Sequence, residues 1–260
     1  MPILLWLEQD NLRPTFPFMK NFGAYLLFLG SLFRRGESPK ILFKRTIDEA
    51  ILIGIDSIFI VAVVSTFIGA VTCVQISYNL TSALIPKSTI GFMVREMTVL
   101  EMAPTITSIV LAGKVGSNIA GGLGTMKITE QVDALEVMGI NSTSYLVLPK
   151  IIASILVFPM LVIIAMFLSI LGGYVAGTLT DTLTGQEYIT GLRTAFIPYN
   201  ITFALIKSVV FAFLISSISS YKGYFTTGGA LEVGESSTKA VTSSVIALLI
   251  ADYVCAQVLL

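Results

Sequence analysis

Glu101, Lys114, Lys207 and Asp252 each interrupt a hydrophobic run long enough to cross a bilayer. An ionisable side chain at that depth must pair, face water or carry function. Lysines and carboxylates so placed could relay protons, hold an ion or tie helices together. A second charged group, Lys127, Glu130, Asp133 and Glu136, crowds the stretch "GLGTMKITEQVDALEVMGI", Gly122 to Ile140. Other chemistries lack their residues. The chain has no histidine, so the commonest general base and metal ligand are missing. Cys73 and Cys255 lie in apolar runs and read as small hydrophobes. A phosphate loop needs G-x-x-x-x-G-K-[ST]. Gly113-Lys114 is followed by Val115 and lacks the upstream glycine. ATP is not bound by that route.

The elements that must position these charges follow from composition. Of 260 residues, 55% are hydrophobic and 12% charged, against about 25% charged in a soluble domain. Mean hydropathy is +0.87. This describes a chain solvated by lipid. A formal net charge of zero suggests no nucleic-acid partner. The first residues lack a basic segment followed by an apolar core and a small-residue site, so no cleavable signal peptide is expected.

A spanning helix needs about 20 mostly apolar residues. Five runs qualify: about Ile51–Ile76, Met97–Met126, Ile151–Thr180, Ile201–Tyr221 and Ala240–Leu260. The third has no charge and would extend about 45 Å, so it must tilt, kink or protrude through about 30 Å of hydrocarbon. Ahead of them, Phe16, Phe18, Phe22, Tyr25, Leu26, Leu29, Leu32 and Phe33 form a broad apolar stripe flanked by Lys20, Arg34 and Arg35. It reads as an interfacial helix, since its uncharged core is too short to span. Ser38-Pro39 starts another helix, with Ser38 as N-cap and Pro39 in the first turn. The expected fold is an all-α integral membrane protein: an N-terminal interfacial amphipathic helix plus five transmembrane helices. Residues 1–50 would form cytoplasmic and interfacial helices, and 51–260 the five-span domain.

Arg34, Arg35, Lys40, Lys44 and Arg45 crowd the start of the first span. The positive-inside rule puts that end in the cytoplasm and the C-terminus outside. Lys127, Lys150, Lys222 and Lys239 then fall in inside loops, and Lys87, Arg95 and Arg193 in outside loops. Gly173 and Gly177, and Ala212, Ser216 and Ser220, have the spacing that lets helix backbones approach in lipid.

Between the second and third spans, a helix would put Ile128, Val132 and Leu135 on one face with Met138 nearby. Glu130, Asp133 and Glu136 would lie on the other, and Gly139 would stop it. An acidic amphipathic helix suits a protein partner better than an anionic leaflet. A solvated connecting helix fits the pattern equally well.

The stretch "LAGKVGSNIAGGLGTMKITEQVDALEVMGI" resembles the signature of the MlaE/YrbE permeases, membrane subunits of bacterial MCE-type ABC lipid transporters. "IKSVVFA" and "TTGGALEVGESSTKAV" resemble the family too, and the likeness runs in order from about Ile51 to the C-terminus. Departures are Leu100 before Glu101, Gly122 before the L-G-T-M motif, and Glu232, Ser236 and Ser237 in the last cytoplasmic loop. The resemblance implies a permease subunit of the bacterial inner membrane that is not itself an enzyme. It implies a coupling helix at Lys127, Glu130, Asp133, Leu135, Glu136 and Met138, docked on a cytoplasmic ATPase subunit that binds ATP and Mg. It further implies a second copy of the chain, an MCE-domain protein outside, room for a small regulatory cytoplasmic subunit, and a phospholipid-like substrate between the copies.

Within that frame, Phe67, Ala70, Val71, Val74, Gln75 and Tyr78 of the first span are expected to line the lipid pocket, apolar with polar groups at one end. Plain packing explains the same pattern, and the resemblance tips the choice. Ile128, Val132 and Leu135 are expected to fill a groove on the ATPase, with the acidic residues at its rim. Glu101, Lys207 and Asp252 fall at matching depth in the outer half of the membrane, so Lys207 is expected to contact one or both carboxylates. Lys114 lies deeper along its span and is expected to bond backbone carbonyls or face a wet cavity. Such charges also suit an ion-coupled secondary transporter, although no inverted repeat is evident. A lipid-modifying membrane enzyme is the weakest fit, because adjacent Lys207 and Ser208 point about 100° apart on a helix.

Overall fold

The computed structural model describes residues 17–32, 38–80 and 85–259, with side chains from residue 22 onward. Phe16, Phe33, Arg34, Arg35 and Leu260, and the side chains of Phe18 and Lys20, lie outside the described residues. The described chain is helical: α1 Pro17–Ser31, α2 Pro39–Asn79, α3 Ser88–Ile128, α4 Gln131–Val137, α5 Ser142–Leu179, α6 Gly185–Arg193, α7 Tyr199–Tyr224 and α8 Ala230–Leu259. Five of these, α2, α3, α5, α7 and α8, are long and apolar enough to cross a membrane. The chain is an all-α, multi-pass membrane protein.

Every span outruns its apolar stretch. Ser38 occupies the N-cap position of α2 without a side-chain cap bond and Pro39 sits in its first turn, but the helix continues without a break into the first span. α8 begins at Ala230, so Lys239 lies on a helix and pairs with Glu235 one turn before it. In lipid a backbone cannot leave its hydrogen bonds unmade, and extending the helix past the hydrocarbon keeps them paired.

Small residues set the closest approaches. α2 packs along α5 with backbones in contact, where a Cβ on Gly69 would lie 1.8 Å from the Ser169 carbonyl oxygen. Gly172 meets Thr66 in the same way, and Ser169 Oγ donates to the Ser65 carbonyl at 2.7 Å. α7 is central, touching α1, α3, α5 and α8, and buries Phe203, Phe211 and Ile215 completely. α1 lies against its C-terminal end. Tyr25 hydrogen-bonds Ser217 at 2.7 Å, and Phe28 packs edge-on to Tyr221. The other side of α1, with Phe22, Leu26 and Leu27, is exposed.

α3 is wound differently. Two π-helical stretches, Thr98–Ile106 and Ala112–Gly116, interrupt it, and each carries one intramembrane charge, Glu101 or Lys114. Such windings are rare and gather at functional sites.

Candidate functional site

Lys207, Glu101 and Asp252 come together where α7, α3 and α8 meet. The lysine side chain is 0% exposed, and its Nζ lies 2.5 Å from Asp252 Oδ1 and 3.0 Å from Glu101 Oε1. It also donates to the Leu100 carbonyl at 3.2 Å. Two of the ammonium's three donors make hydrogen bonds, to Glu101 and Leu100, and the Asp252 contact is an ion pair. Pro104, four residues on, has no N–H to offer the Leu100 carbonyl. Thr105 Oγ1 lies 3.2 Å from both Glu101 Oε2 and Asp252 Oδ1, and its single proton serves one at a time. The Phe203 ring lies 5.1 Å from the ammonium, close enough for a cation–π contribution. Two carboxylates share one cation, and the more open one is Glu101, whose side chain is 46% exposed against 17% for Asp252.

Lys114 is apart from this cluster. Among the described residues its ammonium makes no ion pair or hydrogen bond. It borders a cleft of about 140 Å³ between the inner ends of α2, α3 and α5, together with Asp56, Ser57, Asn118, Glu49 and Lys150.

On α2, the six residues expected to hold lipid lie on the face turned away from the bundle. Phe67, Val71, Val74, Gln75 and Tyr78 are exposed, whereas Thr72, Cys73 and Ile76 on the other side are buried. Ala70, Val71, Val74, Gln75 and Tyr78 line an open apolar depression of about 510 Å³ whose whole wall comes from this one helix.

The segment after α3 differs from its expected form. Glu130 adopts φ 60, a left-handed turn uncommon for a residue other than glycine, and folds α4 back. α4 is only seven residues, Gln131–Val137. Gly139, at φ 78, ends it as anticipated. The Ile140 amide reaches the Leu135 carbonyl at 3.0 Å and the Gly139 amide the Glu136 carbonyl at 2.9 Å, the paired bonds of a Schellman cap. The expectation that Ile128, Val132 and Leu135 fill a partner's groove fails for Val132; Ile128 and Leu135 are half-buried. Val132 is 0% exposed inside the chain's own core, and Leu135 packs against that core. Glu136 accepts from Ser142 Oγ at 2.9 Å and Tyr224 OH at 3.0 Å while its side chain stays exposed. Lys127 pairs with Asp133 at 2.7 Å. The outward surface includes Glu130, Asp133, Glu136, Val137 and Met138.

Arg95 also differs from expectation. Assigned to an outside loop, it sits on α3 with 4% exposure. It pairs with Glu96 at 2.6 Å and donates to the carbonyls of Leu192, Thr194 and Ala195. Ala195 is at φ 45, so the guanidinium braces a strained turn between α6 and α7. Glu96 in turn accepts from Asn200 at 2.7 Å.

Residues 46–258 match the family described as Permease MlaE. A probable ABC transporter permease protein of Rickettsia bellii is 34% identical over 255 residues, 98% of each chain. A probable ABC transporter permease protein of Synechocystis is 31% identical over 241 residues, 91% of this chain and 89% of its own. The Arabidopsis thaliana chloroplast protein trigalactosyldiacylglycerol 1 is 34% identical over 228 residues, 88% of this chain and 65% of its own length.

Proposed function

The chain belongs to the MlaE permease family, and on that premise we propose that it is the membrane subunit of an ABC transporter that moves phospholipid-like lipids. The observation that carries the lipid reading is the exposed face of α2: five residues, one polar, forming one wall of an apolar depression. Ligand pockets are mostly apolar with few polar groups, and a wall from a single helix needs a second copy of the chain to close it. The Arabidopsis relative, named for a galactolipid, supports a lipid cargo.

ATP and Mg would be held by a separate cytoplasmic ATPase, since this chain has no phosphate loop. α4 and the Glu130 turn would be its docking point, through Glu130, Asp133, Val137 and Met138 rather than through the buried Val132 face. Lys40, Lys44, Arg45, Lys127, Lys150 and Lys222 gather at one end of the bundle, which would be cytoplasmic by the positive-inside rule. The C-terminus would then lie on the outer side of a bacterial inner membrane, where an MCE-domain protein would receive or deliver lipid. The ion-coupled reading finds less support, because the Lys207 ammonium is already held by two carboxylates and a carbonyl.

The test is reconstitution of the full chain in proteoliposomes with and without its ATPase subunit. Lipid transfer should require both ATP and that subunit. Transfer that follows an ion gradient and ignores ATP would sink the proposal. The double variant Glu130→Lys, Asp133→Lys should leave the permease folded and abolish ATP-driven transfer.

A further inference from the structure

The cleft at the inner ends of α2, α3 and α5 has features that bundle packing does not explain. Along α2, Glu49 lies near the cytoplasmic-side mouth and Ser57 about 12 Å deeper. α3 runs the opposite way, so Lys114 shares the deep level with Asp56 and Ser57. At the mouth, Glu49 and Lys150 form an ion pair. At the deep end the charges are separate. Among the described residues, neither the Lys114 ammonium nor the Asp56 carboxylate has an ion-pair or hydrogen-bond partner. Ser57 borders the cleft and is 1% exposed, and its buried hydroxyl makes no hydrogen bond. A buried hydroxyl left unpaired costs about 1–3 kcal/mol, and an intramembrane charge at least ~2.5 kcal/mol. An unpaired cation and an unpaired carboxylate bordering one cleft mark a place where a polar ligand completes the bonding.

We propose that this cleft binds the head group of a zwitterionic phospholipid, its phosphate on Lys114 and Asn118 and its ammonium on Asp56. The inference rests on the lipid-transport reading above and adds to it a second, head-group site in the inner half of the membrane. Three observations select this ligand. The lining charges sum to zero, with the free cation and the free anion apart, which complements a molecule carrying one charge of each sign. The cleft, about 140 Å³, has room for a group much larger than one water. From its rim an exposed apolar stripe of α2, Phe59, Val63 and Phe67, runs toward the outer depression, giving acyl chains a dry surface that begins where the head group sits.

The experiment places a photocrosslinking amino acid at Leu52, on the rim of the cleft, or at Val74, in the outer depression. The full chain is assayed in micelles holding equal amounts of phosphatidylethanolamine and phosphatidylglycerol. The Leu52 probe should capture mainly phosphatidylethanolamine. Lys114→Met should cut that capture about tenfold, the worth of one charge-assisted hydrogen bond, and Lys114→Arg should restore it. Asp56→Asn should abolish the preference between the two lipids. Excess inorganic phosphate should not compete; if it does, the ligand is free phosphate and not a lipid. Capture at Leu52 that is indifferent to Lys114→Met, or that favours phosphatidylglycerol, would overturn the proposal. Capture at Val74 but not at Leu52 would overturn it while leaving lipid transport intact; capture at neither would count against both.

Discussion

Lys207 and Lys114 are both lysines inside membrane-crossing helices, and their surroundings are opposite. Lys207 is sealed: no exposure, two carboxylates, one carbonyl and an aromatic face. Lys114 is half-exposed in a cleft, and no described residue pairs with it. Both cost free energy to bury. The first recovers it within the fold, whereas the second recovers it only from something that arrives. A charge that the chain itself satisfies marks architecture, and one it leaves unsatisfied marks traffic. The first rule is followed twice, at Lys207 and at Arg95.

That contrast is most easily broken by removing the sealed charges. Lys207→Met leaves two carboxylates facing each other, and losing one partner of a buried pair costs about 3–5 kcal/mol. The melting midpoint in detergent should fall sharply, and exchanging Lys207 and Asp252 should recover much of it. A Lys207→Met protein that melts like the wild type would make the cluster a functional site rather than a structural one. Arg95→Leu should come next, at about 1.5–3 kcal/mol for hydrogen bonds to a charged group, with faster hydrogen exchange in 190–200. Lys114→Met should leave the melting midpoint unchanged or raise it, because it removes a charge the fold does not pair. A large loss there would place both lysines under one rule and end the comparison.

The smallest effect concerns the helix that Arg95 braces. Thr184 and Glu187 form a reciprocal cap on α6. The Thr184 amide, donating at 2.7 Å, holds the Glu187 carboxyl below the usual carboxylate range, helped by the Thr184 hydroxyl. With its folded pKa below the unfolded value, the cap contributes above the unfolded pKa and is lost as pH falls through the folded one. Exchange of the 185–193 amides should rise in that acidic window, and Glu187→Gln should remove the pH dependence.

Much of this was legible in the residues. The depth of Glu101, Lys207 and Asp252 follows from helix rise and direction, and the cost of a lone charge forces a partner. Lys114 was separable by the same count. What escaped was what depends on neighbours. The period of Ile128, Val132 and Leu135 defines an apolar face, but nothing in it says whether the chain or a partner covers it; Val132 turned inward because Glu130 reverses the backbone before it. Arg95 looked like a loop cation because its acceptors, three carbonyls around residue 194, lie about a hundred positions away. The π-helical windings of α3 have only Pro104 as a trace, and a single proline usually signals a kink instead.

The central claim, that the exposed face of α2 carries lipid, is tested most directly by photocrosslinkers at Val71 and Val74, compared with Thr72 and Ile76 on the buried face of the same helix. The account predicts phospholipid adducts from Val71 and Val74 and none from Thr72 or Ile76. Adducts from the buried face alone, or none from Val71 and Val74 in a correctly assembled chain, would contradict it.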